Sequence, residues 1–214
     1  MKSKKCLVVD YGIGNVYSVT QALTNMGATV TLSGDKEEIK NADRVILPGV
    51  GAFGKAVKVL QELGFDDVVK EFILTERPFL GICVGMQVLM DEGHEFGVHP
   101  GLGLFSGAVK KISLQNEAGD KVRVPLIGWN TVFEYKEGRW VGSVLDSEEA
   151  QSDYYFVHSF QVCPENTDDI LATVKVGTGR VVAAIQKDNV TGVQFHPERS
   201  ARAGQAFLKN FLSM

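Results

Sequence analysis

The pattern of hydrophobic and polar positions in the first ninety residues alternates between short apolar runs and amphipathic stretches. Apolar spacing predicts helices from Asn15 to about Met26, from Ala52 to Leu63 and from Asp66 to Thr75. Short apolar runs predict buried strands at residues 6–10, 28–32, 44–47 and 79–82. Strands that alternate with helices are typical of a parallel sheet covered by helices on both faces.

The pattern changes after Val109. Short strand-like runs separated by turns predict strands at residues 109–113, 122–127, 154–162, 170–176, 180–186 and 191–195. A last amphipathic stretch predicts a helix from Ala201 to Leu212, and no linker interrupts the chain. We therefore expect one domain over residues 1–214, with a three-layer α/β fold. Its central sheet would be mostly parallel, with flanking helices and a mixed or antiparallel C-terminal extension.

Composition narrows the classes of function. The chain has 214 residues, a net charge of -4 and no basic block, which argues against nucleic acid or an anionic membrane as a partner. No run approaches the roughly 18 apolar residues of a membrane span, and the first apolar run is too short for a signal sequence. Three cysteines at unrelated spacings favour a reducing compartment, so we expect a cytoplasmic protein.

The segment Gly81-Ile-Cys83-Val-Gly85 has the spacing of a nucleophile elbow, in which a strand turns sharply into a helix. Glycines two positions before and after the cysteine allow strand and helix to pass closely. The turn would place Cys83 at a helix N-terminus, where unpaired N–H groups favour the thiolate. The pattern therefore predicts a nucleophilic cysteine.

His196-Pro197-Glu198 is a candidate base with its orienting carboxylate. In extended backbone, side chains two positions apart point to the same side, and Pro197 disfavours helical geometry at His196. Glu198 could then fix the imidazole while its other nitrogen faces Cys83, which makes the three residues a triad by role. The alternative is a surface His-Pro turn with a solvated glutamate.

Two glycine-containing loops follow predicted strands. Leu47-Pro-Gly-Val-Gly51 could turn N–H groups, together with that of Val84, toward an oxyanion, or could be an ordinary strand-ending turn. Tyr11-Gly-Ile-Gly14-Asn15 lacks the third glycine of a dinucleotide-binding loop, so we expect no nucleotide cofactor there.

Other polar residues suggest no metal site. His94 and His99 are five apart in a segment broken by glycine and proline, which does not match H-E-x-x-H, and we expect no metal. Cys6 and Cys163 lie in apolar strands and are predicted core residues. Asp10 and His158, near strand ends, could be site residues or satisfied hydrogen-bonding groups.

Residues 81–87 with 196–198 together resemble the class I (triad) glutamine amidotransferases. Finer motifs resemble the branch of that family that supplies ammonia to a cyclase in histidine biosynthesis, and they lie at residues 10–15, 48–53, 128–130, 155–159 and 196–200. The resemblance runs from end to end. It implies hydrolysis of L-glutamine to glutamate, with Cys83 as nucleophile, His196 as general base and acid, and Glu198 as its orienter.

The resemblance also implies further site residues and a partner. It implies substrate contacts from Gly51, Gln87, Glu95, Ser159 and Phe160, and an oxyanion hole from Val50, Gly51 and Val84. The partner would be a (β/α)8 cyclase subunit in a heterodimer, which makes imidazole glycerol phosphate and an aminoimidazole carboxamide ribotide. A second protein is required because ammonia lost to neutral water becomes unreactive ammonium, and the chain shows no phosphosugar-nucleotide site.

The docking surface is predicted to include the turn 11–15 and Trp129, although Trp129 could equally be a core residue. We also expect low glutaminase activity from the isolated chain, because the loop 48–51 can turn its N–H groups away until a partner docks. Three alternatives stay open: a cysteine hydrolase of the DJ-1 superfamily, a non-catalytic subunit, and a glutaminase subunit that serves another acceptor synthase.

Overall fold

A computed structural model describes residues 5–147 and 151–214. A sheet of nine strands dominates it, in the order β2-β1-β3-β4-β13-β12-β11-β8-β9. Its strands are β1 (Lys5–Val9), β2 (Thr29–Ser33), β3 (Arg44–Gly49), β4 (Phe79–Cys83), β8 (Leu126–Glu134), β9 (Asp153–His158), β11 (Ile170–Val176), β12 (Gly179–Lys187) and β13 (Val190–Val193).

This sheet has a parallel half and an antiparallel half. Strands β2, β1, β3, β4 and β13 pair in parallel, whereas β13, β12, β11, β8 and β9 pair antiparallel. The predicted fold class is therefore confirmed, including the antiparallel extension. The flanking helices are α1 (Val16–Asn25), α2 (Lys36–Lys40), α3 (Phe53–Glu62), α4 (Phe65–Ile73), α5 (Val84–Gln87) and α6 (Ala201–Ser213).

The described residues also form a smaller sheet of four strands, in the order β10-β7-β5-β6. Its strands are β5 (Met90–Gly93), β6 (His99–Pro100), β7 (Phe105–Lys111) and β10 (Phe160–Pro164). The sequence pattern predicted neither β5 nor β6, because both are short and carry polar residues. The predicted strand 154–162 divides at Ser159 into β9 and β10, which belong to different sheets.

Two further predictions about elements were wrong. The run 122–127 is not a strand over most of its length, since β8 begins at Leu126. Pro125 has no N–H to donate to a ladder, so pairing starts after it. The helix predicted after the elbow, which the apolar run 84–90 would extend to Met90, ends at Gln87, and the chain enters β5 at Met90.

The topology brings three chain segments to one edge of the sheet. In the parallel register Gly49 pairs with Cys83, and Val193 pairs with Ile82. The carboxyl ends of β3, β4 and β13 therefore lie side by side, where open α/β sheets place ligand sites. Beneath this edge the strands are anchored in the core, where Leu47 and Leu80 are fully buried. Within the described residues, no helix combines the length and the apolar character needed to cross a membrane.

Candidate active site

Cys83 lies at the turn between β4 and α5 in a strained backbone conformation, with φ 56° and ψ -112°. A Cβ at Gly81 would lie 2.5 Å from the carbonyl oxygen of Gly85, and one at Gly85 would lie 1.9 Å from that of Leu47. Both contacts involve backbone atoms, so neither position accepts a side chain without displacement of the chain. The predicted steric function of the glycines is confirmed, and the turn has the form of a nucleophile elbow.

His196 and Glu198 form a buried pair in the turn that follows β13. Nδ1 of His196 lies 2.9 Å from Oε1 of Glu198, and the side chains are 6% and 0% exposed. The backbone N–H of His196 donates to the carbonyl of Tyr155 at 2.9 Å, which attaches the turn to β9. The solvated His-Pro turn is thus excluded, and the carboxylate holds the imidazole in one orientation.

The electrostatic surroundings of His196 favour its protonated form. Burial lowers the pKa of the imidazole, but the Cys83 thiol and the Glu198 carboxylate outweigh burial and raise that pKa to about 10. Nε2 is buried and has no geometrically complete hydrogen bond among the described residues. Nε2 is thus the ring nitrogen that Glu198 leaves free for the reacting atoms.

A cavity of about 470 Å³ opens at this edge of the sheet, a volume within the range of small-molecule sites. Cys83 and His196 line it, and Glu198 lies behind His196. The structure brings the predicted glutamine contacts and oxyanion donors to the same walls, namely Val50, Gly51, Val84, Gln87, Glu95, Ser159 and Phe160.

Two of these wall residues already have partners in the protein. The Glu95 carboxylate accepts from the N–H of Phe53 at 2.8 Å and so caps the start of α3. The Gln87 amide nitrogen donates to the carbonyl of Phe160 at 3.3 Å and to the side-chain oxygen of Gln194 at 2.9 Å. Both side chains are therefore held in place before any ligand binds.

The loop that follows β3 combines one confined glycine with one free glycine. A Cβ at Gly49 would lie 2.6 Å from the backbone nitrogen of Gly85, so this end of β3 is pressed against the elbow. Gly51 has φ 89° and open space around it. The peptide between Val50 and Gly51 is consequently the part of the loop with conformational freedom.

Sequence reasoning missed one residue of the site and left another undecided. Gln194, fully buried, directs its amide nitrogen at Sγ of Cys83 at 3.6 Å. The signal was a lone polar residue in an apolar run, two positions before His196 and thus on the same side of extended chain. His158 lines the cavity, and its Nδ1 lies 2.8 Å from the carbonyl oxygen of Phe160.

Burial values correct or refine other predictions. Tyr11 is only 3% exposed, so its side chain cannot be part of the predicted docking surface. Trp129 is 52% exposed and is therefore not a core residue. Cys6 is fully buried, as predicted, and burial raises its pKa to about 12, whereas Cys163 is only partly buried.

The remaining candidates take no part in the site described above. His94 pairs with Glu92 at 2.7 Å. Asp10 is exposed, and its carboxylate accepts from the N–H of Gly12 at 3.2 Å. In residues 5–147 and 151–214, no group of three or more His, Cys, Asp or Glu side chains could hold a metal ion.

Comparison with known proteins identifies the class. Residues 7–214 match the family model described as glutamine amidotransferase class-I. The chain therefore belongs to the class I glutamine amidotransferase family. Among solved structures, PurLQS from Thermotoga maritima superposes with a TM-score of 0.72 at 17% identity, covering 99% of this chain and 98% of that one, which supports the fold alone.

Curated relatives are more specific. The imidazole glycerol phosphate synthase subunit HisH 1 of Legionella pneumophila (strain Lens) is 40% identical over 208 residues, which covers 97% of this chain and 98% of the relative. The imidazole glycerol phosphate synthase subunit HisH of Bacillus subtilis (strain 168) is 40% identical over 207 residues, with 97% and 95% covered.

Proposed function

We propose that this chain is the glutaminase subunit of an imidazole glycerol phosphate synthase, which hydrolyses L-glutamine and passes the ammonia to a cyclase subunit in histidine biosynthesis. One observation carries the proposal. An elbow cysteine lies beside a buried imidazole–carboxylate pair, in a chain 40% identical over nearly its whole length to subunits of that synthase. We further propose that residues 1–214 act as one domain and that the complex is cytoplasmic.

The reaction begins with attack of the Cys83 sulfur on the side-chain amide carbon of glutamine. His196 carries the proton of the resting ion pair, which agrees with its raised pKa. Glu198 keeps the ring in position through Nδ1, so that Nε2 faces the reacting atoms. As the tetrahedral intermediate collapses, Nε2 gives its proton to the amide nitrogen and ammonia departs.

A glutamyl thioester then remains on Cys83. His196, now neutral, takes a proton from water, and the resulting hydroxide attacks the thioester carbon. The C–S bond then breaks, which releases glutamate and returns the sulfur to Cys83. The oxyanion of both steps would accept hydrogen bonds from the N–H of Val84 and from the loop that carries Val50 and Gly51. Removal of one such donor typically costs about 2.7–4 kcal/mol of barrier.

The glutamine molecule would be held by the walls of the cavity. We assign recognition of its polar ends to Gly51, Gln87, Glu95, Ser159 and Phe160, the last two through backbone groups. Because the nitrogen of Gln87 is already engaged, its side-chain oxygen is the atom free to accept from a ligand.

A docking patch for the cyclase, which we take to be a (β/α)8 barrel forming a heterodimer, adjoins the cavity. It consists of Ile127, Trp129, Tyr155, Val157 and Arg199. In the β8–β9 ladder Ile127 pairs with Val157, and Trp129 pairs with Tyr155. Ile127, Trp129 and Val157 are 63%, 52% and 36% exposed. The guanidinium of Arg199 lies 4.2 Å from the centroid of the Tyr155 ring.

Two observations connect this patch to the active site. Val157 belongs to the patch and also lines the cavity. Arg199 directly follows Glu198, and the carbonyl of Tyr155 accepts the backbone N–H of His196. A partner seated here would cover the cavity and receive ammonia directly, and it could also adjust the position of His196.

Replacement of the nucleophile tests the chemistry. In the complex with its cyclase, Cys83→Ala should abolish synthesis from glutamine and leave synthesis from ammonium salts intact. Cys163→Ala, a partly buried thiol on β10, is the matched control and should leave both activities unchanged. Glutamine-dependent synthesis by Cys83→Ala would contradict the proposed function and would favour the non-catalytic subunit.

The patch and the expected dependence on the partner are tested by titration with the cyclase. Trp129→Ala should weaken binding by at least about 30-fold, the usual loss at a central aromatic. Leu74→Ala, 83% exposed on another surface, is the control.

The isolated chain should hydrolyse glutamine slowly and accelerate on complex formation, whereas full turnover by the isolated chain would refute the hypothesis that the loop 48–51 turns its N–H groups away until a partner docks. Stimulation only by a different acceptor synthase would favour that alternative.

A further inference from the structure

Gln194 is a fully buried amide that the proposed mechanism does not use. It lies just beyond β13, between the last strand residue and His196, and its backbone N–H donates to the carbonyl of Ala183 at 2.8 Å. Its side-chain nitrogen lies 3.6 Å from Sγ of Cys83, although 111 positions separate the two residues. A buried amide next to a nucleophile invites a functional explanation.

The orientation of this amide follows from its neighbours. The side-chain nitrogen of Gln87 lies between two acceptors, the backbone carbonyl of Phe160 and the side-chain oxygen of Gln194. Because a backbone carbonyl can only accept, the nitrogen end of Gln87 is fixed. Gln194 must therefore present its oxygen to Gln87, which leaves its N–H for the sulfur.

We propose that Gln194 is a positioning residue of the glutaminase reaction, which holds the Cys83 sulfur through an amide N–H and links it to the wall of the cavity at Phe160. This inference rests on the proposed function. A neutral N–H donor favours the thiolate over the thiol, since it binds the charged form more strongly. It also fixes the sulfur relative to the imidazole of His196.

The chain of hydrogen bonds gives the sulfur a connection to bound glutamine. Phe160 and Gln87 are assigned to glutamine recognition. Gln87 donates to Gln194 directly, and the Phe160 carbonyl is linked to Gln194 through Gln87. Movement of the Phe160 segment on binding would therefore reach the nucleophile through two amides, without passing through His196.

The test follows alkylation of Cys83 by iodoacetamide as a function of pH, in the full-length chain both alone and bound to its cyclase. Peptide mass mapping separates Cys83 from Cys6 and Cys163. Gln194→Met keeps the side-chain length and removes the donor, and Gln194→Glu keeps the shape and presents oxygen to the sulfur. Gln186→Met is the matched control, because Gln186 is another buried glutamine of the same region of the sheet, on β12.

We expect the midpoint of alkylation to rise by about one pH unit in Gln194→Met, as loss of a hydrogen bond to a charged group predicts, and by at least as much in Gln194→Glu. The turnover number for glutamine should fall roughly 10-fold, the equivalent of one such unit, with KM changed less. Gln186→Met should leave the midpoint in place.

A midpoint that stays unchanged in the folded Gln194 variants would overturn the proposal. An equal shift in the Gln186 variant would also overturn it, since the effect would then be one of general packing. If Gln194→Met does not fold, the isosteric Gln194→Glu decides. The alkylation readout requires no glutamine turnover, so it stays interpretable even if Cys83→Ala shows that the proposed function is wrong.

Discussion

Replacement of Glu198 by glutamine tests the electrostatic coupling at the centre of the site. The substitution keeps the shape of the side chain and its hydrogen bond to Nδ1 of His196, but it removes the negative charge. Both side chains are almost completely buried, so solvent screens their interaction very little. The change therefore isolates the contribution of charge from that of packing.

The expected magnitude follows from the pKa of His196. That pKa is raised from 6.5 to about 10, through Cys83 and Glu198 and against the effect of burial. A hydrogen bond to a charged group contributes about 1.5–3 kcal/mol, and one pKa unit corresponds to about 1.36 kcal/mol. Loss of the Glu198 charge should therefore lower the pKa of His196 by roughly 1–2 units and reduce kcat/KM by roughly 10–100-fold.

NMR titration of the histidine ring resonances measures this shift directly. The chain has four histidines, so single His→Gln variants suffice to assign the signals. Glu92→Gln is the matched control, because Glu92 forms the other His–Glu pair two residues apart, with His94 on the surface. It should leave the His196 titration unchanged. An unchanged midpoint for His196 in Glu198→Gln would refute the reasoning that the carboxylate raises its pKa.

Three further predictions concern stability and assembly. Gly85→Ala should cost roughly 3 kcal/mol or more of unfolding free energy in urea titrations, because its Cβ would lie 1.9 Å from the Leu47 carbonyl oxygen. Gly27→Ala, in open space at φ 78°, should lose only the roughly 1–2 kcal/mol of left-handed strain. Burial lowers the pKa of His158 from 6.5 to about 4, against the hydrogen bond to the Phe160 carbonyl and with a smaller contribution from the charged His196 imidazole. Above pH 6.5 the imidazole is neutral in both the folded and the unfolded chain. As the pH falls from 6.5 to 4, only the unfolded chain takes up the proton, so the folded state should lose about 3 kcal/mol of stability. His158→Gln should flatten that part of the pH–stability curve, and an unchanged slope would contradict the assignment. Trp129→Ala should leave the melting temperature of the isolated chain nearly unchanged while it weakens the complex, and an equal loss of both would mean that the side chain supports the fold instead.

Much of the site could be predicted because its key geometry is local. The elbow requires glycines two positions either side of Cys83, and His196 and Glu198 are two positions apart, so a short stretch of sequence contains each arrangement. The alternating first half was similarly predictable, since each buried strand has its own apolar run. The later strands were harder, because Ser159 divides one apolar run between two sheets and Pro125 delays the start of β8.

The sequence by itself determined the reacting groups, namely a sulfur at a strained turn and an imidazole with an adjacent carboxylate. Tertiary structure alone decided which distant groups surround them. Gln87 and Gln194 are 107 positions apart, yet they share a hydrogen bond. Local periodicity does not predict such contacts, because they arise from the order in which β3, β4 and β13 pair. The same pairing brings the nucleophile and its base to one edge of the sheet.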